Sequence, residues 1–191
     1  EWILSGNNYG ENNTGAFVGY GIQNKSGEKI KEGIISNGSI ISYDLSSGKL
    51  STFATGIRNI EGIDFNNDGN IVAIVGGMED QGSRAVKDDK DYIYEIKENA
   101  WYGWPDFSGG DPITSPRFSD SENKLEAVIS NPPTKTPYGP TYQHYNLSSL
   151  KGLAVDRNGD ILGEDVMVFA DNKENYLYSL GKNNVANKIV D

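Results

Sequence analysis

The sequence predicts an all-β fold of short antiparallel strands joined by tight turns, and three observations support this prediction. The chain of 191 residues contains 23 glycines and 11 tyrosines but only two methionines, and it is rich in Gly and Asn, which supply the positive φ angles of tight turns. No window repeats apolar residues at helical spacing over three turns. Apolar runs also flank two Asn- or Asp-containing turns that end in Gly, the pattern of a β-hairpin.

An internal repeat organises the predicted strands. Residues 60–72 align with residues 150–162 without a gap, at an offset of 90 residues, so that Gly62 corresponds to Gly152. Each copy predicts a strand, a tight turn that ends in Gly, and a second strand. Repeated units of this kind indicate a β-propeller with four-stranded antiparallel blades, and a β-sandwich or a meander with similar hairpins is the alternative.

Aromatic alternating segments accompany the repeat. Residues 92–96 follow the first copy, residues 176–180 follow the second, and the similar residues 40–45 precede both. A blade takes about 40–50 residues. The offset therefore corresponds either to two blades or to one blade that carries a long insertion.

The remaining segments predict an N-terminal strand and two long loops. Residues 2–4 are apolar and strand-like, and a strand so close to the first residue is expected to have its partner upstream, in a longer protein. Residues 82–91 and 108–136 are expected to form surface loops. Loops of this length are often functional. The charged residues of the first loop are also typical of a solvated face. Residues 1–191 are expected to form one β-propeller domain or a fragment of one.

Charge and composition exclude some partners. The chain has 27 acidic and 17 basic residues and a net charge of -10, and it lacks the basic run that nucleic-acid binding requires. It has no cysteine for a disulfide or a thiolate metal site, and no apolar stretch approaches the ~18 residues of a membrane helix. The Asn-, Ile- and Lys-rich composition suggests a bacterial protein, expected to be secreted to the periplasm or the outside, either free or attached to the cell surface.

Three motifs resemble a known family. In chain order they are Gly-Ser-Ile-Ile-Ser-Tyr-Asp-Leu at residues 38–45, Gly-Ile-Arg-Asn-Ile-Glu-Gly at residues 56–62, and Tyr-Gly-Trp-Pro at residues 102–105. Their order and spacing resemble the glucose/sorbosone dehydrogenases, which are soluble quinone-dependent sugar oxidoreductases. The resemblance is good over about residues 38–110 and fainter over residues 137–180. It implies a six-bladed propeller, only part of which this chain covers, that oxidises a CH–OH group of an aldose or a sorbosone-like sugar with pyrroloquinoline quinone (PQQ) and calcium.

The resemblance also implies a cofactor site. Arg58 and Asn59 would contact PQQ, since a planar guanidinium and an amide suit a quinone that carries carboxylates and carbonyls. The alternative is that Arg58 pairs with Glu61 or another acidic residue and fixes the turn. Gly76 and Gly77 would offer backbone carbonyls to calcium, which accepts such oxygens. Asp111 and its neighbour Asp106 are candidate calcium ligands, and their alternative role is to form turns.

The chain departs from the family at two places. A polar residue usually precedes the calcium-binding pair, whereas this chain has Gly76-Gly77-Met78. The histidine base of the family lies upstream of the Arg-Asn turn, whereas the one histidine here is His144, which is expected to be an ordinary surface or strand residue. No residue is therefore predicted to be catalytic. The alternative function is a non-catalytic propeller that binds carbohydrate or a protein partner and has a degenerate cofactor site.

An aromatic cluster around the third motif has two interpretations. Trp101, Tyr102, Trp104 and Phe107 could stack on a sugar ring. The same residues are also of the type that a propeller buries between blades.

Overall fold

A computed structural model describes residues 1–6, 16–17, 22, 24–31, 38–81, 84–119, 124–146 and 149–190. In this part of the chain the regular elements are all β-strands, and no helix is long and apolar enough to cross a membrane. The strands are β1 (Trp2–Ile3), β2 (Lys29–Ile30), β3 (Ser39–Asp44), β4 (Lys49–Thr55), β5 (Ile60–Phe65), β6 (Ile71–Val75), β7 (Lys90–Ile96), β8 (Phe107–Ser108), β9 (Asp111–Pro112), β10 (Tyr142–Asn146), β11 (Leu150–Asp156), β12 (Val166–Asp171), β13 (Tyr176–Leu180) and β14 (Ala186–Val190).

The chain divides into two compact units. The first contains residues 1–58, 78–89 and 98–138, and the second contains residues 59–77, 90–97 and 139–191. That residues 1–191 form one propeller domain, or a fragment of one, stays a prediction.

The second unit consists of two four-stranded antiparallel sheets. One sheet has the order β5-β6-β7-β10 and the other has the order β11-β12-β13-β14. In the first sheet, β5, β6 and β7 are consecutive in the chain, and the fourth strand, β10, follows only after residues 97–141. The repeat offset therefore corresponds to one sheet that carries a long insertion before its fourth strand, which decides between the two alternatives from the sequence.

The two copies of the repeat differ in their second halves. The first copy forms the predicted hairpin, in which the Gly69 N–H donates to the Asn66 carbonyl at 3.0 Å. In the second copy the predicted strand at Ile161 is wrong, because this residue is 85% exposed in a loop and β12 begins only at Val166. The Asp156 carboxylate accepts hydrogen bonds from the N–H groups of four consecutive loop residues, 160–163, which lowers its pKa to about 2. These bonds replace the strand pairing that the alignment predicted.

A close approach of backbones joins the two sheets of the second unit. A Cβ atom on Gly62 of β5 would lie 2.7 Å from the Leu153 nitrogen of β11. Glu61 and Lys151, which are equivalent residues of the repeat, form an ion pair of 2.5 Å beside this contact. The apolar core next to it contains the following buried residues: Ile74, Ile93, Leu150, Phe169, Tyr178 and Leu180.

The first unit contains the N-terminal strand and the hairpin of β3 and β4. Strand β1 pairs with β2, and Leu4 forms a bridge with Ile129. The observed partner of β1 is thus downstream in the same chain, and a further partner upstream stays a prediction. Strands β3 and β4 pair antiparallel from Ser39 opposite Thr55 to Asp44 opposite Lys49, so the strand predicted at residues 40–45 is present as β3.

Parts of the two predicted surface loops form a small core in the first unit. Val86 comes from one segment, and Ile113, Phe118 and Leu125 come from the other; all four are buried, and Met78 packs against them. Beside this core, Arg84 forms a largely buried ion pair of 3.3 Å with Asp106. These segments are therefore more than solvated loops. Their apolar residues lack any regular period, so no sequence pattern indicated that they would meet.

Candidate cofactor site

The turn that carries Arg58 is held by backbone contacts among the three sequence motifs. The Ile57 N–H donates to the Gly38 carbonyl at 2.9 Å, and the Trp104 N–H donates to the Gly56 carbonyl at 2.8 Å. Gly56 has a φ of 74°, and a Cβ atom there would lie 2.8 Å from the Gly103 nitrogen and closer still to the Trp101 ring. Only glycine fits this position. Packing and backbone hydrogen bonds thus bring the three motifs together. Arg58 lies in the turn that they fix, directly after β4.

Arg58 is partly exposed beside a carboxylate. Its side chain is 31% exposed, and one guanidinium nitrogen lies 3.7 Å from the Glu79 carboxylate. Glu79 is therefore an acidic partner of Arg58, which agrees with the alternative that Arg58 pairs with Glu61 or another acidic residue. Partly exposed ion pairs of this length contribute little to stability, so a competing anionic ligand would lose little by displacing Glu79.

Asn59 lies next to one of the predicted metal residues. Its carbonyl accepts the N–H of Gly76 at 3.0 Å, and its side-chain amide donates to Glu61 at 2.6 Å. Glu61 in turn pairs with Lys151. The structure therefore brings Asn59 and Gly76 together, and it places the Asn59 amide against one member of a partly exposed ion pair.

Gly77 has a structural reason to be glycine. Its N–H donates to the Asp91 carboxylate at 2.9 Å, and a Cβ atom on it would lie 2.5 Å from the Lys90 carbonyl oxygen. Asp91 is itself buried and also accepts the Leu150 N–H at 2.7 Å. The absence of a side chain at Gly77 is thus explained by the approach of β7, independently of any metal.

The two candidate calcium carboxylates have other partners. Asp111 on β9 pairs with Arg117 at 2.6 Å. Asp106 is buried and accepts the N–H groups of Val128 and Ile129 at 2.7 Å each, in addition to its pair with Arg84. Burial raises the pKa of Asp106, and these donors oppose that rise. Asp106 therefore holds the first unit together.

The donor set fits a calcium ion poorly. In the described ranges, no three His, Asp or Glu side chains gather closely enough to hold a metal ion. A calcium ion at Gly76 and Gly77 would therefore depend on backbone carbonyls. That Gly76, Gly77 and Asp111 bind calcium stays a prediction, as does the contact of Arg58 and Asn59 with PQQ.

His144 is a buried strand residue in the second unit. It lies on β10 with 2% exposure, its Nδ1 is 2.9 Å from the Tyr142 hydroxyl, and its Nε2 is 3.4 Å from the Asp171 carboxylate. The Nε2 contact lacks hydrogen-bond geometry. The rings of Phe169 and Tyr178 pack edge-on against the His144 ring, with centroid distances of 5.7 and 5.0 Å. Burial lowers the pKa of His144, and Asp171 opposes the shift.

His144 is 2% exposed in this environment, whereas a base that takes a proton from a bound sugar must come within hydrogen-bond reach of the substrate hydroxyl. The sequence offered no signal for this buried polar array, because its members are distant in the chain. Of the two places expected for His144, surface or strand, the structure supports the strand.

The aromatic cluster of the third motif is largely buried. Trp101 is 4% exposed and Tyr102 is 3% exposed, and the Phe107 ring contacts Trp101 edge-on at 5.6 Å. Packing is therefore the role of Trp101 and Tyr102. Sequence reasoning missed Tyr138, whose ring lies 5.9 Å from that of Tyr102 and is 50% exposed.

Comparisons with known proteins identify the fold. No family profile matches the chain, and no curated protein matches it by sequence. The structure is similar to that of the PQQ-bound form of aldose sugar dehydrogenase from Streptomyces coelicolor, with a TM-score of 0.52 and 16% sequence identity. The match covers 81% of this chain and 39% of that enzyme. The predicted fold class, an all-β structure of the β-propeller type, is thereby confirmed, while identity at this level shows the fold alone.

Proposed function

We propose that this chain is part of a quinone-dependent sugar dehydrogenase of the β-propeller type, and that Arg58 and Asn59 hold the quinone. The fold is similar to that of a PQQ-bound aldose sugar dehydrogenase. The family motifs of the sequence support the same activity. PQQ, when bound, supplies the two-electron oxidising capacity for a sugar CH–OH group.

The partly exposed guanidinium of Arg58 is the observation that carries this proposal. Arg58 projects from a turn fixed by backbone bonds, and its carboxylate partner Glu79 is 3.7 Å away with a side chain that is 59% exposed. A carboxylate of the quinone would take the place of Glu79 as the partner of the guanidinium. The amide of Asn59, next in the chain, would donate to a further quinone oxygen.

The residues of this chain bind and orient the cofactor in this proposal. The one histidine is buried among aromatic rings, so no histidine of this chain receives the proton of the sugar hydroxyl. We assign no calcium-dependent step, because the described residues lack a carboxylate cluster for the ion. Secretion to the periplasm or the outside of a bacterial cell belongs to the same proposal.

The burial of His144 favours a second candidate function. A propeller that kept the scaffold and lost the chemistry would bind carbohydrate or a protein partner without turnover, because a scaffold can host many functions. The two candidates differ in whether PQQ binds.

PQQ binding tests the proposal directly. The protein is titrated with PQQ, with and without calcium, and tryptophan quenching and the quinone absorbance are followed. Loss of a charge-assisted hydrogen bond costs about 1.5–3 kcal/mol, so Arg58→Ala should weaken binding by about tenfold to a hundredfold. Glu79→Gln should strengthen binding a few-fold, because the competing carboxylate is removed.

The control is Arg117→Ala, which removes another partly exposed arginine that pairs with an aspartate. It should leave PQQ affinity unchanged. Dye-linked oxidation of a panel of aldoses then separates the two candidate functions. Equal PQQ affinity in the wild type and in Arg58→Ala would contradict the assignment of Arg58, and absence of PQQ binding in the wild type would favour the non-catalytic propeller.

A further inference from the structure

We propose that the pyranose ring of a sugar stacks on the ring of Tyr138. That the ligand is a sugar rests on the proposed function. The ring is 50% exposed, yet it packs against the buried Tyr102 with an interplanar angle of 36°. Single exposed apolar residues are common on protein surfaces. The rigidity and the position of Tyr138 therefore carry the argument.

A backbone hydrogen bond and the preceding residue, Pro137, both restrain the backbone at Tyr138. Its N–H donates to the Trp101 carbonyl at 3.3 Å. Pro137 is buried, and a Cβ atom on Gly103 would lie 3.0 Å from the Pro137 ring. The φ angle of a proline is preset, so the backbone that leads to Tyr138 has little freedom to lose when a ligand binds. A ring held in this way can present a flat face at low entropic cost.

Backbone hydrogen bonds connect Tyr138 to the turn of Arg58. Thr55, at the end of β4, forms a bridge with Trp101, and Trp101 accepts the Tyr138 N–H. Segments paired in this way lie about 4.8 Å apart, which places the Tyr138 backbone about 10 Å from Thr55. Arg58 follows Thr55 by three residues, at most about 10 Å of chain. The Arg58 turn and Tyr138 thus belong to backbone segments of the first unit that are connected through Trp101.

The chemistry of this pair suits a quinone beside a sugar. The flat face of a tyrosine ring is apolar and electron-rich, and one face of a pyranose ring presents C–H groups. Stacking the two faces removes apolar surface from water. Buried Trp101 and Tyr102 cannot offer such a face, so Tyr138 takes over the sugar-stacking role that the sequence suggested for the cluster.

Sugar binding to variants of the protein tests the platform. D-glucose and methyl α-D-glucopyranoside are used as probes, and saturation transfer from aromatic protons to the sugar is measured by NMR, together with affinity by equilibrium dialysis. Tyr138→Ala and Tyr138→Leu should each weaken binding at least about fivefold, the equivalent of about 1 kcal/mol. Tyr138→Phe should retain it, because the ring remains. Tyr43→Ala is the matched control, since Tyr43 on β3 is also exposed, at 55%.

The PQQ titration separates this inference from the proposed function. Tyr138→Ala should bind PQQ with wild-type affinity, whereas Arg58→Ala should not. Sugar binding that is lost in Tyr138→Ala would support the platform even if the wild type binds no PQQ. Wild-type protein that binds neither sugar, or a Tyr138→Leu variant that binds as tightly as the wild type, would overturn the inference.

Discussion

Replacement of Gly62 by alanine should strongly destabilise the packing of the two sheets in the second unit. The new Cβ atom would lie 2.7 Å from the Leu153 nitrogen and 2.8 Å from the Gly152 carbonyl carbon. Ordinary contacts begin at 3.4 Å, so the strands must separate by about 0.7 Å, the difference between 3.4 and 2.7 Å. Both obstacles are backbone atoms, which cannot rotate away as a side chain would.

The magnitude follows from the type of strain. Overpacking costs typically about 1–3 kcal/mol, and the upper end applies here because both obstacles are backbone atoms and Asp64 of β5 also accepts the Val155 N–H of β11 at 2.9 Å. For a chain of this size, about 3 kcal/mol corresponds to a melting temperature lower by roughly 6–12 °C. Urea denaturation followed by circular dichroism measures the free energy of unfolding.

Two other glycines are matched controls. Gly152, the repeat equivalent of Gly62, has a φ of 60°, and a Cβ atom on it would meet no other atom within 4 Å. Gly152→Ala should therefore cost about 1 kcal/mol of backbone strain only. A Cβ atom on Gly139 would meet no other atom within 4 Å, and Gly139 has no positive φ. Gly139→Ala should therefore change stability by less than about 0.5 kcal/mol. A Gly62→Ala variant as stable as Gly139→Ala would refute the close approach of β5 and β11.

Two further predictions concern buried polar groups. His144 takes up a proton near pH 6.5 when unfolded and at lower pH when folded, because burial lowers its pKa; the free energy of unfolding should therefore fall as the pH drops below about 6.5. His144→Gln should flatten this pH dependence in urea melts, and an unchanged slope would contradict the neutral buried state of His144. Arg84→Met leaves the Asp106 carboxylate buried without its ion-pair partner and should cost about 3 kcal/mol. In an Asp106→Asn background the same Arg84→Met change should cost less, because the side chain left behind is neutral, and an equal cost in both backgrounds would argue against the pair.

The local features of the fold were predictable from the sequence. Alternating apolar and aromatic residues predicted β3, β7 and β13, and the Asn-Asp-Gly turn predicted the hairpin of β5 and β6. These features depend on residues that are close in the chain, so periodicity and turn chemistry suffice to recognise them. Alignment of the repeat failed at Ile161 because the Asp156 carboxylate captures the N–H groups that a strand would have used.

The candidate site was only partly predictable. The motif around Arg58 identified the turn, and the requirement for glycine at Gly56 agrees with its packing against Trp101. The sequence could not name Glu79 as the partner of Arg58, nor the exposure of Tyr138 beside the buried Tyr102. Exposure depends on which segments cover a residue, and that is a property of the folded chain.

The sequence by itself determined that the fold is all-β, and it indicated several tight turns and the positions where glycine is required. Each of these features depends on the backbone conformation of a few consecutive residues. Tertiary structure alone decided that the 90-residue offset is one sheet with an insertion, since only the pairing of β10 with β7 identifies the fourth strand. It also decided that His144 is buried and that Asp106 pairs with Arg84. The physical reason is that desolvation and ion pairing depend on distances between groups that are far apart in the chain.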